Sequence, residues 1–149
     1  MALLSPADQE RLREAFADIR HPVTILFFTK TLDCETCLQT RQIIDELPPL
    51  SDKITIDEVN LVLDAEKAKR YGVERVPALA LLYSDGGAPG VLNDSRIRFL
   101  GTPAGYEFMS LINAVMLVGG RESSLTESNR TRIAAVDRPV TFQVFTTPT

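Results

Sequence analysis

Cysteine is scarce in this sequence, with two residues among 149, and histidine occurs once, as His21. A disulfide-dense mini-protein is thereby excluded, since a chain of this length forms one domain whose core needs no covalent staples. An excess of basic charge is missing as well: 16 Lys and Arg face 20 Asp and Glu, for a net charge of −4. That balance leaves no basic stripe to follow a phosphate backbone and no Lys/Arg cluster to hold an anionic membrane surface. Nor does any apolar run approach the roughly 18 residues that cross a bilayer. The opening segment, Met1 to Glu10, reaches charge too early for the core of a signal peptide. These absences predict a cytoplasmic protein that binds neither nucleic acid nor membrane. What is present, 44% apolar and 24% charged residues, is the composition of a globular domain rather than of a disordered or fibrous chain.

Hydrophobic periodicity lays out the elements. Leu12, Ala15, Phe16 and Ile19 recur at helical spacing and predict an amphipathic helix over 6–20, ended by His21-Pro22. Val23-Thr24-Ile25-Leu26-Phe27-Phe28 is short, β-branched and almost continuously apolar, as a strand buried on both faces must be. After a turn over 29–33 the pattern becomes helical from Cys34 through Leu38, Ile43, Ile44 and Leu47, until Pro48-Pro49 stops it. A second strand is predicted over 54–61 and a short charged helix over 64–71, ended by Gly72. A third strand follows over 78–83 behind Val76-Pro77, and a fourth over 95–100, where Ile97 and Phe99 alternate with Arg96 and Arg98. Gly101-Thr102-Pro103 introduces a long helix through Tyr106, Phe108, Leu111, Ile112, Val115 and Met116 that ends at Gly119-Gly120. The two strand-to-strand connections that contain helices imply parallel neighbours, and the hairpin after Tyr83 implies an antiparallel last strand. The expected class is α/β, a mixed four-stranded sheet flanked by helices in the thioredoxin-like layout, with an extra helix at the N-terminus.

A different pattern begins after Gly120. Residues 121–137 carry a weakly amphipathic helix (Leu125, Ile133, Ala134, Val136), and 138–146 reads as one more strand. Pro-Val-Thr-Phe-Gln-Val-Phe-Thr at 139–146 matches Pro-Val-Thr-Ile-Leu-Phe-Phe-Thr at 22–29 at five of eight positions, and each copy follows a helix. That is an internal repeat whose second copy is cut short. The expectation is one unit over 1–120, then a linker helix and the first strand of an incomplete second unit over 121–149.

The chemistry rests on Cys34 and Cys37. In a reducing compartment, two cysteines at this spacing are a working dithiol or a pair of metal ligands more often than a structural disulfide. A thiol at the start of a helix meets unpaired N–H groups and the helix dipole, both of which favour the anion. Cys37 follows almost one turn later, within reach of a mixed disulfide on Cys34. The spacing thus points to attack by Cys34 and resolution by Cys37. Two other readings stay open. Two sulfurs supply half of a zinc or iron–sulfur site, which a chain with one histidine would close only with a second chain; no metal is expected. The pair could also be buried cysteines that only pack. Asp33 and Glu35 beside Cys34 disfavour its thiolate, while Lys30 on the same turn favours it, and the expected dithiol is not strongly oxidising. His21, at the opposite end of the first strand, is assigned a structural role. Val76-Pro77, at a strand start beside the dithiol strand, is a candidate cis peptide, because proline cannot donate to a ladder.

Three stretches together carry a family likeness: Cys34-Glu35-Thr36-Cys37 at a helix start, Arg75-Val76-Pro77-Ala78 before the third strand, and Arg98-Phe99-Leu100-Gly101-Thr102-Pro103-Ala104-Gly105-Tyr106-Glu107-Phe108. They resemble the N-terminal half of the glutaredoxin-like protein disulfide oxidoreductases, proteins with two tandem thioredoxin-fold units, each with its own Cys-x-x-Cys. The resemblance spans residues 5–120, and 141–149 looks like the opening strand of the second unit. It implies that Cys34 and Cys37 are the redox centre of an enzyme that acts on protein disulfides without a cofactor. It also implies that Pro77 is the family's cis-proline and that Val76 offers its backbone to an extended substrate strand. The partners implied are proteins bearing disulfides or thiols, and a flavin-dependent electron donor of the thioredoxin-reductase type. Two departures stand out. Phe28 replaces the thioredoxin-type buried carboxylate six residues before the first cysteine, so proton transfer from Cys37 falls to water or another group. Gly86-Gly87 lies in a longer loop than the glutathione-binding pattern has, which argues against glutathione as a specific substrate. A neighbouring reading is the electron-relay domain of a peroxiredoxin reductase, with similar tandem folds. A reading from another class is a non-catalytic docking unit of a two-unit redox protein.

Overall fold

A computed structural model describes residues 3–147, so the outermost residues of the two expected units, 1–2 and 148–149, lie outside the described residues. Strand β1 (Val23–Thr29) runs through the centre of a sheet, between β2 (Ile54–Asn60) and β3 (Ala78–Tyr83), and β4 (Asn93–Leu100) lies outside β3. Its continuous apolar run follows from that position, because alternate side chains enter two different cores. Val23, Ile25 and Phe27 join Leu79 and Leu81 of β3 in the larger one, together with residues of three helices, α1 (Pro6–Phe16), α2 (Cys37–Ile44) and α4 (Tyr106–Val118). Leu26 and Phe28 join Ala78, Ala80 and Leu82 in the smaller one, with Ala68 of α3 (Ala65–Arg70). These elements form the expected thioredoxin-like fold. A fifth helix, α5 (Glu127–Ala134), has no buried residue. Among the described residues no helix is long and apolar enough to cross a membrane.

Strand direction departs from the expectation at one point. β1 and β2 pair in parallel, but β3 runs antiparallel to β1, and β4 antiparallel to β3. The second helical connection therefore does not join parallel neighbours. Its helix is too short to do so: the six residues of α3 rise about 9 Å, whereas returning along a seven-residue strand takes about 23 Å. The chain enters β3 at the same end of the sheet where it left β2. That reversal gathers the exits of β1, β2 and β4 and the entrance of β3 at one end.

The helix and strand limits shift for local reasons. α1 stops at Phe16 instead of reaching Arg20, because the N–H groups of Arg20 and His21 both donate to the Gly119 carbonyl, at 2.7 and 3.0 Å, and draw the chain off the helix axis. Gly120 turns the chain there with φ +102°, and a Cβ on it would stand 2.9 Å from the His21 ring. His21 thus packs at the end of the sheet remote from Cys34. β4 starts two residues earlier than expected, at Asn93 rather than Ser95. Leu38, on the helical pattern of α2, is exposed. α5 covers 127–134 rather than 121–137, and residues 138–147 form no strand. Among the described residues no strand runs beside that segment, and an extended backbone without a neighbour has nothing to pair with.

Candidate active site

The loop after β1 carries Cys34 across the collecting end of the sheet. Cys34 and Cys37 are joined as a disulfide with their Cα atoms 5.4 Å apart, inside the usual span of about 4.4–6.8 Å. α2 begins at Cys37 with Thr36 as its N-cap, which corrects the expectation that Cys34 itself opens the helix. Asp33 accounts for the offset: its φ of +59° is left-handed, a conformation that Asp tolerates and that cannot belong to a right-handed helix. The disulfide nevertheless tethers Cys34 to the first helical residue. Among the described residues no side chain caps the N-terminus of α2. The two sulfurs differ in access, for Cys37 is 6% exposed whereas Cys34 is half-buried at the rim.

Val76 and Pro77 lie at the entrance of β3. Because Ala78 pairs with Phe28, that entrance flanks the exit of β1 that leads to Cys34. The Val76-Pro77 peptide is cis, and the Pro77 ring is buried. The Pro77 carbonyl accepts the Gly101 N–H at 2.9 Å, which ties this turn to the end of β4. Val76 packs against both cores, yet among the described residues neither its N–H nor its C=O has a hydrogen-bond partner. A backbone donor and acceptor left free at a sheet entrance are what an incoming extended peptide pairs with.

The three charged neighbours of the dithiol are dispersed. Asp33 and Glu35 are exposed and Lys30 half-buried, and none of the three forms an ion pair among the described residues. Among those residues no group of three or more His, Cys, Asp or Glu side chains stands ready to hold a metal ion. Phe28 is fully buried in the smaller core, so no carboxylate stands at that position. Apolar side chains come to the same end of the sheet from the loops after β1 and β2, the last residue of β4 and the first of α4. Leu32 is 77% exposed, Leu63 82% and Tyr106 86%, and Leu100 is exposed as well. Thr40 and Thr102, whose hydroxyls lie 2.8 Å apart, join α2 to the turn before α4. No signal in the sequence pairs these two residues, since 62 positions separate them.

No family model matches the chain. A protein of Methanothermobacter thermautotrophicus described as "Probable Thioredoxin" is 30% identical over 95 residues, which is 63% of this chain and 96% of that protein. Among solved structures, the NTD_N/C domain of alkylhydroperoxide reductase AhpF from Enterococcus faecalis matches with a TM-score of 0.78 at 30% identity, over 91% of this chain and 62% of that one. A protein disulfide oxidoreductase from Aeropyrum pernix matches with a TM-score of 0.71 at 25% identity, over 88% of this chain and 54% of that one. The chain thus spans only part of either solved structure.

Proposed function

We propose, from the premise that this chain belongs to the thioredoxin family and is a thiol–disulfide oxidoreductase of that kind, that Cys34 attacks and Cys37 resolves in the reduction of protein disulfides. The observation that carries this assignment is the difference in burial, the outer sulfur at the rim and the inner one 6% exposed. Only an accessible thiolate meets a protein substrate, and only a sheltered one waits while a mixed disulfide forms beside it. In the reducing direction the Cys34 thiolate attacks one sulfur of the substrate disulfide, and the other leaves as a thiolate that takes up a proton. Cys37, as thiolate, then attacks the Cys34 sulfur. The second substrate thiolate departs, and the two electrons given up by the dithiol are accounted for by the 34–37 disulfide. Val76 offers its free N–H and C=O to the substrate backbone, with the exposed Leu32 and Leu63 as apolar contacts. Asp33 and Glu35 disfavour the thiolate only weakly, because exposed charges are screened, and the half-buried Lys30 opposes them.

A trapping experiment tests the assignment. Cys37→Ser should accumulate mixed disulfides with protein substrates through Cys34, and Cys34→Ser should accumulate almost none. Equal trapping by the two variants would reverse or abolish the assignment.

A second reading is favoured by the likeness to the alkylhydroperoxide reductase domain, at a TM-score of 0.78. In it the dithiol relays electrons from a flavin-dependent donor to a peroxide-reducing partner. Stopped-flow reduction by a flavoprotein reductase, compared with turnover on a model disulfide protein, separates the two, since a relay reacts fast with the donor and slowly with the model protein. We also read residues 121–149 as the linker helix and first strand of a second thioredoxin-fold unit, on the strength of the repeat at 139–146, and assign the protein to the cytoplasm, where a dithiol of this kind is kept reduced.

A further inference from the structure

The Thr40 hydroxyl is fully buried and lies one helical turn beyond Cys37. It donates to the Thr36 carbonyl at 2.9 Å, the same oxygen that accepts the Thr40 N–H at 2.9 Å. A hydroxyl has one proton, and a carbonyl can only accept. The 2.8 Å contact between the two threonine hydroxyls therefore runs from Thr102 to Thr40. The oxygen at the end of this relay belongs to the Thr36–Cys37 peptide, whose N–H is that of Cys37. Fixing the carbonyl along the helix axis fixes that peptide plane, which aims the Cys37 N–H toward the end of α2 to which Cys34 is tethered. At its other end the relay leaves α2, for Thr102 follows Gly101, whose N–H donates to the Pro77 carbonyl. The dithiol helix and the Val76-Pro77 turn are thus connected through one short turn of chain.

We propose that Thr40 and Thr102 are positioning residues for the exchange reaction, holding the first turn of α2 in register with the Pro77 wall when Cys34 and Cys37 are reduced. The reduced state is where the relay matters. With the disulfide closed, the covalent bond itself secures the first turn. Once it opens, no side-chain cap holds that turn, and the threonine relay remains. Removing the relay then destabilises the dithiol form more than the disulfide form and weakens the hold on a Cys34 thiolate.

The inference rests on the assignment of Cys34 and Cys37 above, whose own failure would appear in the trapping experiment and not here. Thr40→Val keeps the shape and removes the hydroxyl, and Thr40→Ser keeps the hydroxyl and removes a methyl. In equilibrium with a glutathione buffer, Thr40→Val should shift the 34–37 couple toward the disulfide by about fivefold, the worth of one buried hydrogen bond. Its pH profile for iodoacetamide labelling of Cys34 should move to higher pH. Thr40→Ser should stay near the parent protein in both readouts. Thr102→Val, in a half-buried turn, should reproduce the change and serves if Thr40→Val does not fold. An unchanged equilibrium and labelling profile in the valine variants, or a serine variant as altered as the valine one, would overturn the proposal.

Discussion

Arg98 shows how much one side chain can organise. Its guanidinium donates to both oxygens of Asp94 at 2.8 and 2.6 Å and to the Tyr71 carbonyl at 3.1 Å, and it lies 5.8 Å from the centre of the Tyr71 ring. That ring in turn meets Phe28 edge-on at 6.4 Å. The Arg98 guanidinium beside Asp94 holds the Asp94 carboxyl below its ordinary value. A depressed carboxyl value means stability that is present above the unfolded-state value, about 3.9, and is lost as the pH falls through the folded-state value. Asp94→Asn should cost about 0.5–1 kcal/mol at neutral pH, since the pair is bidentate yet a third of the Asp94 side chain is exposed. In urea denaturation the gap between parent and variant should shrink below about pH 4, and a gap that stayed constant there would refute the role given to the ion pair. Phe28 is a different case, a fully buried ring whose loss leaves a cavity. Phe28→Ala should lower the unfolding free energy by about 3–5 kcal/mol, measured on the oxidised protein. A loss below about 1 kcal/mol would mean that the smaller core collapses around the gap.

Elements whose pattern reflects burial were legible in the sequence, and those set by distant partners were not. β1 could be read because its two-sided burial needs an unbroken apolar run, and α3 because Gly72 at φ +67° stops it where a C-terminal glycine should. The direction of β3 was misread although the pattern held it, since the helix predicted over 64–71, about 12 Å long, is already too short to return the chain along a strand of about 23 Å. The start of α2 was misplaced because the left-handed turn at Asp33 has no hydrophobic signature. Segment 138–147 has a strand's sequence and no strand's neighbours, so its Val140, Phe142, Val144 and Phe145 stand exposed. Its Thr146 hydroxyl donates to the Glu107 carboxylate, an exposed contact. Removing residues 123–149 should therefore leave thermal stability almost unchanged, within about 2 °C for a domain of this size. Solubility should rise as exposed apolar surface is lost. A fall of about 8 °C or more on truncation would show that the segment packs on the first unit.

At the scale of the whole molecule, one topological fact makes the site. The short α3 returns the chain at the end where β1 and β2 finish, so loops from distant parts of the sequence converge there. The cysteines and the Val76-Pro77 turn were legible because their spacing and residue types carry chemistry. The free backbone of Val76 was legible only through the family resemblance, and the Thr40–Thr102 contact and the exposed Leu32 and Leu63 were not legible, because each depends on that convergence. The unequal exposure of the two sulfurs is the property on which the assigned chemistry depends, and it can be read directly. The fully reduced protein at neutral pH is given a brief pulse of substoichiometric iodoacetamide, and the modified peptides are quantified by mass spectrometry. Labelling should fall on Cys34 over Cys37 by a ratio on the order of tenfold, since only an accessible thiolate reacts. Equal labelling, or a preference for Cys37, would contradict the account.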